Sequence, residues 1–328
     1  MGHGIRKDLV QRLVEADQQG TCLIAESPSD ARRLQYACSR GDIVSPIRQV
    51  YALPELWDKL SAGKRELYKI RTLARLHPNW VFASHSAAIV HGLSVSYRQL
   101  GPVHLACTRH QNTRNRDGLV RHVLSNARTA TINGICVTSV EQTAIDCMRA
   151  SAFPQALAIA DSALRVTGRT RQSFSDDLGT TCASTRDKLR AVEVVAHADP
   201  RAESGGESIA RAIMMREGFM PPDLQVAVND PLEAENCFFV DFYWELPNSC
   251  IAGELDGREK YYDPEMTHGR DIVEVLADER LRESRVCGTD VKVMRFSYAN
   301  VTDTTFFRRL LTTYDIPQGY PVPPIALT

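Results

Sequence analysis

Apolar positions near the start of the chain recur at helical spacing. Ile5, Leu9, Leu13 and Val14 share one face, and Gly20 follows where a helix would stop. A short apolar run, Cys22–Ala25, leads to Pro28 and Ser29, and Ser29 is placed to cap a helix from Asp30 to about Arg40 that Gly41 closes. Ile43–Val44 and Gln49–Leu53 then read as two short strands around a turn at Pro46. Further on, Ser84–Leu93 predicts a small-residue helix ended by Gly92. Val103–Ala106, Leu119–Val123 and Ile135–Val137 alternate like strands. Ser139 is placed to cap a helix beginning at Val140, and Ala156–Leu164 predicts another.

The polar stretch Thr167–Ser184 reads as a loop, and a short helix over Thr185–His197 runs up to Asp199-Pro200. The last third has a clearer order. A helix from about Gly206 to Glu217 is stopped by Gly218 and followed by strands at Gln225–Val228, Cys237–Trp244 and Cys250–Asp256. A long helix over about His268–Val286, a strand at Asp290–Tyr298 and a helix over about Thr302–Thr313 complete it. This series predicts an α/β core around a mixed sheet. The four prolines from Pro317 onward predict a poorly ordered tail. The expectation is a multidomain α/β chain: 1–58, an α+β middle domain at 59–166, a linker at 167–198, a C-terminal domain at 199–316 and a tail at 317–328.

Composition narrows the function classes. With 43% hydrophobic and 24% charged residues among 328, the chain matches ordinary globular proteins, not collagenous or disordered ones. No run approaches 18 uncharged apolar residues, and Met1–Lys7 lacks the apolar core of a secretory signal. The 9 cysteines are scattered without a CxxC pair, which suits reduced thiols and gives no zinc site. A cytoplasmic protein without membrane contact is expected. His85 and His91 lie six apart, a spacing that fits packing or surface histidines better than metal ligands.

The net charge of −1 is a cancellation. Residues 61–150 carry 12 basic and 4 acidic side chains, whereas 201–328 carry 13 and 22. The basic part calls for an anionic partner. Arg109, Arg114 and Arg116, with His110, Asn112 and Asn115, form a candidate phosphate-contacting loop. The element order of the first 58 residues is the outline of a winged helix. In that reading Arg32, Arg33, Gln35, Tyr36, Ser39 and Arg40 enter a DNA major groove, while Arg48 and Gln49 meet phosphates from the wing.

The acidic part carries candidate chemistry. Strand alternation puts Val240, Phe242 and Trp244 on one face and Asp241 on the other with Phe239 and Tyr243. It likewise pairs Glu254 with Asp256, opposite Ile251, Gly253 and Leu255. If the strands meet through Pro247-Asn248, Asp241 approaches Glu254 and Asp256, and Glu207 on the preceding helix adds a further carboxylate. Clustered carboxylates are relieved by protons or a divalent cation. Mg2+, with Mn2+ as a substitute, suits such oxygen ligands and can activate water beside a phosphodiester.

Two resemblances sharpen these expectations. The winged-helix start, SHSAAIVHG, VTSVEQTAIDCMR and ALAIADSALR resemble the AbiEi-type antitoxin family over about 1–165. That resemblance implies a DNA-binding winged helix and a cognate toxin or defence-system protein as partner. ESGGES, PPDLQV, FFVDFYW, GELDGREKY and ERLRESRVCGTDVKVMRFSYANV resemble the Vsr-like branch of the PD-(D/E)XK nuclease superfamily over 203–301. It implies a restriction-endonuclease-like mixed sheet flanked by helices. The family's metal-binding Asp falls on Asp241, its second acid on Glu254 and its helix Glu on Glu207. The motif lysine would stand two residues after Glu254, where Asp256 is found, and Lys260 is the candidate cation instead. Arg282, Arg285 and Arg295 are candidates for phosphate contacts or for ion pairs with Glu279 and Glu283. The functional expectation is a protein of phage defence or a toxin–antitoxin-like system that binds double-stranded DNA and hydrolyses phosphodiester bonds with Mg2+. The rival is a non-catalytic DNA-binding antitoxin or repressor with a degenerate nuclease fold.

Overall fold

A computed structural model of the chain describes residues 7–108, 115, 118–124, 127–181, 184–233, 235–256, 281, 284–285 and 288–327. Its packing divides the mixed α/β chain into two compact units: Met1–Cys147 with Thr180–Cys182, and Met148–Gly179 with Ala183–Thr328. The division falls after Cys147, not near 198. Among the described residues no helix is long and apolar enough to cross a membrane.

The first unit opens with α1 (Lys7–Gln18), β1 (Leu23–Ile24), α2 (Pro28–Ser39), β2 (Val44–Ile47) and β3 (Val50–Ala52), whose strands form a sheet in the order β1-β3-β2. Leu9, Leu13, Leu34, Ala37, Ile43 and Tyr51 make its core. The cap of α2 is Ser27, not Ser29: its extended backbone lets Oγ accept the Asp30 N–H at 3.1 Å, with Pro28 in the first turn. Pro46 lies within β2, not in a turn, because β2 is an edge strand and needs no ladder donor there. The chain reverses at Arg48-Gln49 instead, with Gln49 at φ 68°.

The rest of this unit comprises α3 (Pro54–Trp57), α4 (Ala62–Leu76), β4 (Val81–Phe82), α5 (Ser84–His91), β5 (Val103–Cys107), β6 (Leu119–Val123), β7 (Thr129–Ile132), β8 (Ile135–Thr138) and the start of α6 (Val140–Arg149). The five strands run in the order β6-β5-β4-β8-β7. Their core of Phe82, Val103, Leu105 and Val137 is continuous with Cys22, Ile47 and Val50 from the small sheet. That shared core is why the expected first and middle domains pack as one unit.

The second unit contains α7 (Phe153–Thr167), α8 (Arg171–Thr181), α9 (Thr185–Ala196), α10 (Gly205–Arg216), β9 (Asp223–Asn229), β10 (Cys237–Leu246), β11 (Ser249–Asp256), β12 (Val291–Ser297), α11 (Tyr298–Thr302) and α12 (Thr304–Thr313). The stretch expected to be a loop is helix α8, anchored by buried Phe174 and Leu178 at i, i+4 spacing. The tail is also not loose. Met220 N–H donates to Pro317 O at 2.8 Å, Phe219 bridges Gln318, and buried Ile325 donates its N–H to Glu193 Oε1 at 2.7 Å. Prolines remove donors, yet the residues between them supply enough to fasten the segment.

The sheet order is β12-β11-β10-β9, with β11 and β12 parallel and the other pairs antiparallel. Phe242, Trp244, Ile251, Leu255, Met294 and Phe296 pack with Ile209 and Ile213 of α10 and Phe307 of α12. Gly253 makes this packing fit: a Cβ there would come 3.0 Å from both Phe242 Cβ and Trp244 Cζ3. The expected long helix over 268–286 lies outside the described residues apart from three helical positions, Leu281, Ser284 and Arg285.

Candidate functional site

The strict alternation expected of β10 breaks at Asp241. Phe242 and Trp244 join the core under α10, whereas Val240 packs with Val228, Ala252 and Tyr243. The facing strand changes side at the same step, Leu224 in one cluster and Val226 against the other, across Gln225 at φ 52°. The β10–β11 ladder also ends here. Its pairs run from Leu246↔Ser249 to Phe242↔Gly253, after which Glu254, Leu255 and Asp256 pair only with β12. Leu255 N–H thus lacks a cross-strand carbonyl and donates to Asp241 Oδ2 at 2.9 Å, while Gln225 Nε2 reaches Oδ1 at 3.5 Å. Asp241 is therefore a carboxylate standing in a gap of the sheet.

Helix α10 brings Glu207 towards it. Ser204 caps the helix and accepts the Glu207 N–H at 3.2 Å, and Glu207 Oε2 accepts the Glu203 N–H at 2.8 Å. The side chain is buried. Burial first, and then the charge of Asp241, hold the Glu207 acid above the usual carboxylate range, against the lowering by Ser204 and the Glu203 N–H. The two carboxylates thus interact, and neither meets a basic side chain among the contacts described. This donor chemistry fits a hard divalent cation. Among the described residues no group of three or more His, Cys, Asp or Glu side chains is arranged around one ion. Mg2+ needs only one or two carboxylates, with waters and substrate oxygens completing its shell.

Asp256 does not add a third free carboxylate. It pairs with Arg295, whose Nε donates to Oδ1 at 3.1 Å and whose Nη2 also contacts that oxygen. The parallel register sets Arg295 opposite Glu254. Glu254, Asp256 and Arg295 thus continue the face that carries Ala252 and Val293, away from the core under α10. Arg285, expected to face phosphate or a same-helix glutamate, pairs with buried Asp230 and with Glu233 at 3.1 Å and lies over the Phe238 ring. Lys260, Arg282, Glu279 and Glu283 lie outside the described residues.

In the first unit α2 buries Leu34 and Ala37 and exposes Arg32, Arg33, Gln35, Tyr36, Ser39 and Arg40. Arg33 pairs with Asp8 and Arg40 with Asp42, each at 3.1 Å, and Arg40 lies over the Tyr36 ring. Such surface pairs are worth about 1 kcal/mol or less, so both arginines can be drawn to another anion. Arg48 is exposed on the hairpin tip. Arg109, Arg114 and Arg116, with His110 and Asn112, lie outside the described residues.

Sequence spacing missed a histidine cluster. His91 Nε2 meets Thr138 O at 2.8 Å, but His85 stands edge-on to His104 at 5.1 Å, and His104 Nδ1 lies 2.8 Å from His122 Nε2. Its members come from α5, β5 and β6, so no local pattern announces it. Burial pushes His85 down to about 4 and His104 to about 3. Also unannounced is a buried pair in which Arg211 Nη2 holds both oxygens of Asp161 at 2.9 and 2.8 Å.

No family model matches the chain. It is 32% identical over 147 residues to an uncharacterized protein of Mycobacterium tuberculosis, in strain CDC 1551 / Oshkosh and in strain H37Rv. The matched stretch is 45% of this chain and 52% of each relative, so the chain spans about half the length of the curated relatives it matches.

Proposed function

We propose that the chain is a DNA-binding, metal-dependent phosphodiesterase of PD-(D/E)XK type, with a winged helix in its first unit. The observation that carries this reading is the Asp241 carboxylate held by the Leu255 N–H where the β10–β11 ladder opens, with buried Glu207 near enough for the charge of Asp241 to help raise its acid. Order α10-β9-β10-β11, then β12 parallel to β11, is the frame the sequence resemblance leads one to expect. Glu207 and Asp241 would hold Mg2+, with Glu254 on the neighbouring strand. When bound, the ion supplies charge for a phosphate oxygen and acidifies water. The chain's own part is narrower: the Leu255 N–H fixes the Asp241 carboxylate, Ser204 fixes the turn carrying Glu207, and Glu207 takes or releases a proton as the site fills. The exposed face of α2 and the tip at Arg48 would supply most of the DNA grip.

The setting we assign is the cytoplasm and a phage-defence or toxin–antitoxin-like system. One observation favours a second reading, a DNA-binding antitoxin or repressor with a silent nuclease fold: Asp256 stands where the motif lysine belongs and is paired. Incubating the full chain with supercoiled plasmid, linear duplex and single strands in Mg2+ or Mn2+ separates the two. Cleavage that Asp241→Ala and Glu207→Gln abolish supports the enzyme. DNA binding without cleavage in either metal supports the repressor.

A further inference from the structure

We propose that His85 and His104 bind one divalent ion of the zinc, cobalt or nickel class, and that His122 is the residue that positions His104. The site belongs to the first unit and does not depend on the carboxylate pair of the second. His85 and His104 are each 8% exposed. Among the described residues, His85 Nδ1 and Nε2 and His104 Nε2 are buried without a hydrogen-bond partner. Buried polar atoms are ordinarily satisfied, so two neighbouring imidazoles with orphaned nitrogens call for a ligand that both can hold. Their rings stand 5.1 Å apart, centroid to centroid, at 85°. Two imidazoles on one tetrahedral ion, with metal–nitrogen bonds of about 2.0–2.1 Å, have centroids about 5.2 Å apart. The spacing is that of a ligand pair.

The backbone holds the two rings together. Ser84 opens α5 at φ 48°, a left-handed conformation that is unfavourable for serine and persists only where its surroundings enforce it. Ala83 N–H donates to His104 O at 3.0 Å, and His104 N–H donates to Ser86 Oγ at 2.8 Å. The residues around His85 thus grip both sides of the His104 backbone. His104 Nδ1 lies 2.8 Å from His122 Nε2, with the two rings within 20° of parallel. When Nδ1 carries the hydrogen and donates it to His122, His104 Nε2 keeps its lone pair, the arrangement that orients a metal-bound imidazole. Burial and the neighbouring rings disfavour the protonated form of His85 and His104, and a metal takes the neutral ring. Among the described residues no three such side chains surround one ion, so the ion takes two imidazoles and completes its shell with water. Imidazole suits zinc, cobalt and nickel, whereas Mn2+ is the weakest binder of the divalent series, which sets this site apart from the carboxylate pair.

The test titrates the full chain, stripped with EDTA, with Co2+ and reads the intense visible band of the four-coordinate ion, which an octahedral carboxylate site does not give. One equivalent should produce the band in the wild type and in Asp241→Asn alike. His85→Gln and His104→Gln should each lose it. His122→Phe should weaken binding about tenfold, and His122→Gln, which keeps an acceptor for His104, should recover most of that loss. Lost packing alone would not be repaired by glutamine. Because either ligand variant can fail to fold, Co2+-loaded crystals of the wild type supply a second measurement. Anomalous scattering should place one ion about 2.0–2.2 Å from a ring nitrogen of each of His85 and His104. No band in the wild type, a band that both ligand variants keep, or one that Asp241→Asn loses overturns the assignment. So do crystals in which the orphaned nitrogens meet only a buried water.

Discussion

Replacing Asp161 by Ala removes the partner of a buried arginine. Asp161 is 0% exposed, and the Arg211 side chain 7%. Arg211 Nη2 donates to both carboxylate oxygens, Asp161 Oδ1 also accepts the Asp199 N–H at 2.7 Å, and Arg211 Nη1 donates to His197 O at 2.8 Å. The pair therefore ties α7, α10 and the segment after α9 together, and Arg211 lies one helical turn after Glu207. Its net worth over an apolar pair is small, because two charges lost their water. Its rupture is another matter: an unpaired buried guanidinium costs about 3–5 kcal/mol. At about 2–4 °C per kcal/mol for a unit of this size, the melting step of the second unit should fall by roughly 6–20 °C. Differential scanning calorimetry of the full chain reads it, since a change confined to one step identifies the unit affected. The double variant Asp161→Leu with Arg211→Met should recover most of the loss. A fall below about 1 kcal/mol for Asp161→Ala would refute the reasoning, as would a double variant no better than the single.

Three further outcomes follow from particular contacts. His85 and His104 titrate in the fold near 4 and 3, below the ordinary value of 6.5. Their stabilisation of the first unit is thus complete above about pH 6.5 and is lost as pH falls towards those values, at about 1.4 kcal/mol per pH unit per ring. Thermal unfolding between pH 7 and pH 4 should show a drop in the first unit that His104→Gln reduces; a flat profile would count against the cluster. Gly253→Ala places a Cβ 3.0 Å from Phe242 and Trp244 and should cost about 1–3 kcal/mol in urea unfolding, with no loss if the strands spread freely. Because the Glu207 acid is held above the usual carboxylate range, Mn2+ affinity should rise with pH as it deprotonates, and Glu207→Gln should flatten that rise.

Much of the frame was legible because it rests on local signals. Gly92 ends α5 in a left-handed conformation as expected, and Ser139 accepts the Gln142 N–H at 3.3 Å ahead of α6. The strands carrying Asp241 and Glu254 do meet through Pro247-Asn248, the condition the sequence reading set. Alternation failed at Asp241 itself, since nothing local in FFVDFYW signals that two strands change face together across Gln225. β4 was invisible because two residues carry no period, and α8 because Ser, Thr, Asp and Gly mask its two core positions. The division after Cys147 is hidden from the sequence for a different reason. It depends on α7 packing against α10 through Asp161–Arg211, a pairing across 50 residues. The partner of Asp256 was equally out of reach, because it comes from β12, which pairs with β11 only in the folded sheet.

The most direct measurement of the central claim is calorimetric titration of the full chain with Mn2+ at neutral pH. One ion should bind to the wild type, and none at that site to Asp241→Asn, while the melting steps of the variant stay intact. A wild type that takes up no ion, or an Asp241→Asn chain that binds it equally well, would contradict the assignment of Glu207 and Asp241 as a metal centre.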